Sequence, residues 1–209
     1  MLKTLKAFSL ILGYPTTELQ QALPEISAII ESETVATSDY KKQLQQWVTT
    51  LASGELISWQ EEYVTLFDNQ VSLYLFEYVH GQSRERGQAM VDLSGYYQTH
   101  NFAITGNELP DYLPLVLEFL SYQPAELVRE FLADMLGIIG KMGQKLRAGN
   151  SDYALICESL EIFMGQTPQI AKPVIPIKSL AEIDKDWAEP PVTFGSAHNS
   201  CGSCQTQNC

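Results

Sequence analysis

From Ala125 to Ala148 the apolar residues Leu127, Phe131, Leu132, Met135, Ile138, Ile139, Met142 and Leu146 return every third or fourth position, until Gly149 and Asn150 end the pattern. A run with this period is a helix with one face to bury, and the rest of the chain must supply the cover. It supplies more helices. Leu2, Leu5, Phe8, Ile11 and Leu12 share a face that Gly13 and Pro15 terminate. Thr17 with Gln20 has the spacing of a capping box for a short second helix, and Ile26, Ile29 and Ile30 form a stripe beyond it. Ser38 or Asp39 opens a segment carrying Leu44, Trp47, Val48 and Leu51, closed by Gly54, and Ser58 opens one carrying Trp59, Tyr63, Leu66 and Phe67. Between Asp111 and Tyr122 lie Tyr112, Leu115, Val116, Phe119 and Leu120, with Pro114 in the first turn, where its missing N–H is harmless. A last helix is expected from Tyr153 to Met164. Strand alternation is nearly absent. The expected fold is therefore all-α, a single-domain bundle of seven or eight helices over residues 1–166. An extended arm rich in proline and a cysteine-containing tail follow over residues 167–209. Gly137, Gly140 and Gly143 recur at i, i+3 and i+6, a spacing that lets a neighbouring helix come close and that is not a dinucleotide-binding fingerprint.

Charge narrows the partners. Lys and Arg total 13 against 25 Asp and Glu, a formal net charge of −12. Nucleic-acid affinity comes mainly from basic side chains on phosphates, so nucleic acid is excluded as a partner and a basic peptide fits. No apolar run approaches the roughly 18–20 residues of a spanning helix, and the first residues lack a small-residue cleavage site after an apolar core. A soluble, cytoplasmic protein without stable membrane association is expected. Cys157 lies in an apolar periodic segment and Cys201, Cys204 and Cys209 crowd the end, which is no framework for a disulfide-stapled domain.

The polar chemistry concentrates in SLYLFEYVHGQSRERGQAMVDL, residues 72–93, where Glu77, His80, Arg84, Glu85, Arg86 and Asp92 follow an apolar start. Arg84 and Arg86 are the sole Lys or Arg between Gln60 and Ala125, a region that also holds Glu61, Glu62, Asp68, Glu108, Asp111 and Glu118. Two roles for the arginines stand side by side. They pair with Glu77, Glu85 or Asp92 and knit the loop, since Arg makes two-pronged carboxylate contacts, or they meet a ligand. The acids in turn suit a groove lined by Tyr63, Phe67, Tyr112 and Phe119 that takes an amphipathic, Arg-bearing peptide helix. A hydrolase built on Ser83 and His80 lacks a third residue to orient the histidine and any nucleophile-elbow motif. The tail offers an alternative function, metal binding or redox chemistry: His198, Cys201, Cys204 and Cys209 supply four donors of the kind tetrahedral zinc prefers.

LYLFEYVHGQSRERGQAMVDL, residues 73–93, resembles the signature of the NarJ family of nitrate reductase assembly chaperones, within the TorD/DmsD-type redox enzyme maturation proteins. EYVTLFD at 62–68 is similar to the E-Y-x-x-L-F element of that superfamily, NELPDYLPLVLEFL at 107–120 stands in the place of its E-P-x-D-H element, and WAEPPVTF at 187–194 looks like a NarJ ending. Leu109 and Tyr112 replace the first Pro and the His of E-P-x-D-H, and Tyr78 departs from the common E-H-V-H-G of NarJ proteins. The resemblance implies a non-catalytic chaperone, without a cofactor of its own; a monomer is expected, although helical patterning does not record the oligomeric state. Its client would be the apo catalytic (alpha) subunit of a respiratory nitrate reductase, chiefly the N-terminal leader, a twin-arginine signal or its remnant. The client would be held until molybdenum cofactor and an iron–sulfur cluster are inserted, before membrane docking. Candidate peptide-binding residues are Tyr63, Phe67, Glu77, His80, Arg84, Arg86, Asp92, Glu108, Asp111, Tyr112 and Glu118, with Gly81, Ser83, Gly87 and Gln88 completing the signature loop and helix start.

Overall fold

The computed structural model describes residues 2–33, 37–81 and 83–168. Among these, nine helices and no strand make an all-α bundle. In order they are α1 (Lys3–Ile11), α2 (Thr17–Ser32), α3 (Ser38–Ser53), α4 (Leu56–Phe67), α5 (Glu77–His80), α6 (Glu85–Thr99), α7 (Leu113–Ser121), α8 (Ala125–Ala148) and α9 (Ala154–Phe163). α1 packs on α2 and α7, α2 on α3, and α9 on both α3 and α8. The packed faces are those the periodicity marks: Leu5, Phe8 and Ile11 from α1, Leu44 and Val48 from α3, and Leu132, Ile139, Met142 and Leu146 from α8 are fully buried. Each such side chain stabilises the fold by about 1.5–3 kcal/mol when removed from water.

Three local readings change. The α2 cap is Thr16, whose hydroxyl accepts from the Leu19 amide at 3.2 Å, and the helix runs on through Pro24 to include the Ile26 and Ile30 stripe. Pro24 has no N–H for the Gln20 carbonyl, so sequence rules favour a break there. Burial of Leu23, Ile26 and Ile30 on one face outweighs the lost bond. α3 and α4 begin after Thr37 and Glu55 with no side-chain cap. The segment expected merely as a helix start becomes α6, which buries just Leu93 and Tyr97 and so has almost no apolar period to read.

Two of the three α8 glycines meet α9. A Cβ on Gly143 would stand 2.9 Å from Cys157 Cβ, and one on Gly140 would stand 2.9 Å from Glu161 Oε1, whereas one on Gly137 would meet nothing within 4 Å. The irregular stretches between α4 and α5 and between α6 and α7 are tied to each other across distance. Tyr74 and Tyr112 form an isolated antiparallel bridge, with Leu75 N donating to Asp111 O at 2.9 Å and Leu113 N to Leu73 O at 2.8 Å. This clasp joins the two stretches that carry the signature residues.

Candidate functional site

α4 delivers Tyr63 and Phe67 to one wall of a cleft of about 460 Å³, and the clasp delivers Tyr74 and Tyr112 to the other. Asp68, Glu77 and Glu108 are the acids that line it. Tyr63 is anchored by donating its hydroxyl to Leu12 O at 2.9 Å, and its ring lies 4.7 Å from that of Phe67. The Tyr74 and Tyr112 rings are 5.3 Å apart, and the Tyr74 hydroxyl donates to Glu108 Oε2 at 3.0 Å. Burial, followed by this bond to Glu108, pushes the Tyr74 hydroxyl up to about 12, and burial raises Tyr63 and Tyr112 as well. All three phenols are therefore neutral, and the charge of the cleft comes from its carboxylates. An aromatic surface with negative charge at its edge attracts cations through both ring faces and carboxylates.

Asp111 is present beneath the cleft rather than in it. Its side chain is fully buried, Oδ2 accepts from the Phe76 amide at 3.0 Å, and Arg86 Nη2 lies 3.8 Å away. Burial is the main reason its carboxyl is raised above the ordinary value, against the lowering effect of the Phe76 bond and of Arg86. Arg86 also approaches Glu77 Oε1, at 3.3 Å. The two arginines thus separate. Arg86 braces the clasp, while Arg84 is exposed and pairs with no acid among the described residues.

Other expected groove residues lie elsewhere. Glu118 pairs with Lys6 and lines a neighbouring cavity of about 620 Å³ with Phe102, Ile104, Leu115 and Tyr122; Glu108 borders both hollows. Phe119 is fully buried in an aromatic cluster with Tyr97 and Phe102 because α7 turns its apolar face to the core. Asp92 is exposed and accepts from Gln88 Nε2 at 2.8 Å. His80 is half-buried, edge-on to Phe76, with Nδ1 3.9 Å from Glu85 Oε2. Gly81 follows it at φ 53°, a left-handed conformation that favours glycine. Ser83 uses its hydroxyl to accept from the Glu85 amide at 3.2 Å and its own amide to donate to His80 O, which places it in the turn into α6. His198, Cys201, Cys204 and Cys209 lie outside the described residues. Among the described residues no three His, Cys, Asp or Glu side chains are grouped to hold a metal ion, and no helix is long and apolar enough to cross a membrane.

Tyr74 is a site residue that sequence reasoning missed, and Asp68 is one that it counted among the acids of the region without singling it out. Tyr74 sits inside the signature stretch, but its pairing with Tyr112 across the clasp has no local signal. Asp68 follows the last α4 residue and faces the cleft because that helix stops one residue earlier.

Comparison with known proteins bears on the family and the fold. A family model described as nitrate reductase delta subunit matches residues 33–148. The nitrate reductase molybdenum cofactor assembly chaperone NarJ of Escherichia coli (strain K12) is 36% identical over 154 residues, covering 73% of this chain. The chain spans 65% of the length of that relative. A Bacillus subtilis (strain 168) protein assigned to the same NarJ role is 31% identical over 153 residues, which cover 72% of this chain and 82% of that one. In fold, the chain is similar to a crystal structure assigned as a redox enzyme maturation protein from Archaeoglobus fulgidus, with a TM-score of 0.59 at 23% identity, over 79% of this chain and 94% of the other. The family model over residues 33–148, more than half of the chain, and the identity to these relatives make this chain a member of the nitrate reductase delta subunit family.

Proposed function

We propose that this chain is a cytoplasmic, non-catalytic assembly chaperone for a respiratory nitrate reductase. It binds the N-terminal leader of the apo catalytic subunit and keeps that subunit open to molybdenum cofactor and iron–sulfur cluster insertion. The helical body, residues 1–166, carries the binding site. The names of the relatives support the chaperone role. The observation that carries leader binding is the cleft itself, with Tyr63, Phe67, Tyr74 and Tyr112 as apolar surface and Asp68, Glu77 and Glu108 as its acids. An amphipathic basic helix presents an apolar stripe beside positive charge, and such a cleft complements both. Isothermal calorimetry of the full chain with a synthetic peptide of the cognate leader tests the reading. Saturable heat that Phe67→Ala and Tyr112→Ala weaken is expected. Heat that neither substitution changes would move binding away from this cleft.

A further inference from the structure

Arg86 stands between two carboxylates and matches neither. Its Nη2 is 3.3 Å from Glu77 Oε1 and 3.8 Å from Asp111 Oδ2, both longer than the roughly 2.7–2.9 Å of a charge-assisted hydrogen bond. Arg86 Nε is buried and has no hydrogen-bond partner among the described residues, and neither has Asp111 Oδ1. The orphaned donor and the orphaned acceptor therefore belong to the same ion pair. Buried groups left in this condition carry their full desolvation penalty, so an arrangement that joins them is favoured as soon as Arg86 is free to move.

Glu77 is what holds it back. The two acids differ in access: the Glu77 side chain is 41% exposed and lines the cleft, while that of Asp111 is 0% exposed and sealed below. A cation entering the cleft can reach Glu77 and cannot reach Asp111. We infer that Glu77 is the acceptor for an arginine side chain of the bound peptide, and that its capture hands Arg86 over to Asp111. This rests on the leader-binding reading above. In the bound state Arg86 grips Asp111 with both prongs, Nε on Oδ1 and Nη2 on Oδ2. Arginine suits the role better than lysine, because its flat guanidinium makes paired contacts with a carboxylate and lies on ring faces such as those of Tyr74 and Tyr112.

The handover has a structural consequence. Asp111 already holds the Phe76 amide through Oδ2 and the Leu75 amide through its backbone oxygen, so a firm Arg86 fork ties α6 to the clasp that walls the cleft. Peptide binding thus converts a loose contact on the empty site into a fixed one beneath the filled site. Glu77 is a specificity residue in this scheme and Arg86 a positioning residue.

The test uses the full chain and two synthetic peptides, the leader of the cognate catalytic subunit and the same peptide with citrulline at each arginine. On the wild type, citrulline should weaken binding by about tenfold, the scale of one charge-assisted contact. On Glu77→Gln the two peptides should bind within about twofold of each other. The Arg86 Nε–H resonance gives an independent readout that needs no variant: it should move downfield and exchange more slowly when leader is added to the wild type. In Glu77→Gln it should hold that position without peptide. If citrulline costs the same on both proteins, or if the resonance does not respond to the leader, the handover is wrong while leader binding stands. If the leader binds neither protein, the chaperone reading falls and the handover falls with it.

Discussion

Arg147 of α8 grips Glu158 of α9 with both prongs, donating from Nε to Oε1 at 2.9 Å and from Nη2 to Oε2 at 2.6 Å. Glu158 is 5% exposed, so the pair replaces the water its charge gave up. Removing one partner strands a buried carboxylate. Arg147→Met should lower unfolding free energy by about 2–3 kcal/mol, and adding Glu158→Met should recover most of the loss, because two apolar side chains leave no buried charge. Urea denaturation of the two variants measures both effects.

The α8 glycines make a graded series at one interface. Gly143→Ala drives a methyl to 2.9 Å from Cys157 Cβ, which cannot swing away, and should cost about 1–3 kcal/mol. Gly140→Ala meets the mobile end of Glu161 and should be far milder. Gly137→Ala has open space and should stabilise by about 0.5–1 kcal/mol through helix propensity. Thermal melts that rank the three in any other order would refute the packing argument.

Cys157 lies fully buried where Gly143 approaches, and burial, with Glu161 and Glu158 adding to it, pushes its thiol up to about 12. The thiolate is the reactive form. Native protein treated with iodoacetamide at neutral pH should leave the Cys157 peptide unmodified by mass spectrometry, and modification should appear on unfolding in urea.

Arg84 and Arg86 should differ in stability. Arg86→Gln removes the cation beside buried Asp111 and should cost about 2–3 kcal/mol. Arg84→Gln changes an exposed side chain and should stay within about 0.5 kcal/mol of the wild type. Equal melting temperatures for the two variants would contradict the bracing role of Arg86.

Stability should also fall from acidic towards alkaline pH. Glu62, Asp111 and Glu161 hold their protons more tightly in the folded chain, burial being the largest cause in each case. Folding therefore takes up protons between the ordinary carboxylate values and the raised ones. The stability these groups contribute is greatest below that window and is lost as pH rises through it. Glu18 acts in the opposite sense: hydrogen bonds at the start of α2 lower it, and its contribution is lost as pH falls through the lowered value. A formal charge of −12 adds self-repulsion on the alkaline side. The melting temperature at about pH 5 should exceed that at about pH 8.

The sequence by itself determined the helical class, the α8 face from Leu132 to Leu146 and the Pro114 start of α7, because a 3.6-residue period and the chemistry of proline act over a few neighbouring residues. It also made Tyr63, Phe67, Glu108 and Tyr112 candidates for one groove, through their aromatic and acidic character and their family motifs, and the structure brings these four to one cleft. It misplaced Phe119 and Glu118, since a helix shows which residues share a face but not which neighbour covers that face. α6 was barely legible for the converse reason, with just Leu93 and Tyr97 to mark its buried side. Tertiary structure alone decided that Tyr74 lies against Tyr112, that Asp111 is sealed beneath the cleft, and that Arg86 rather than Arg84 reaches it. Those relationships join positions far apart in the chain, where no local period or spacing records the contact and only the packing of the bundle brings charge to charge.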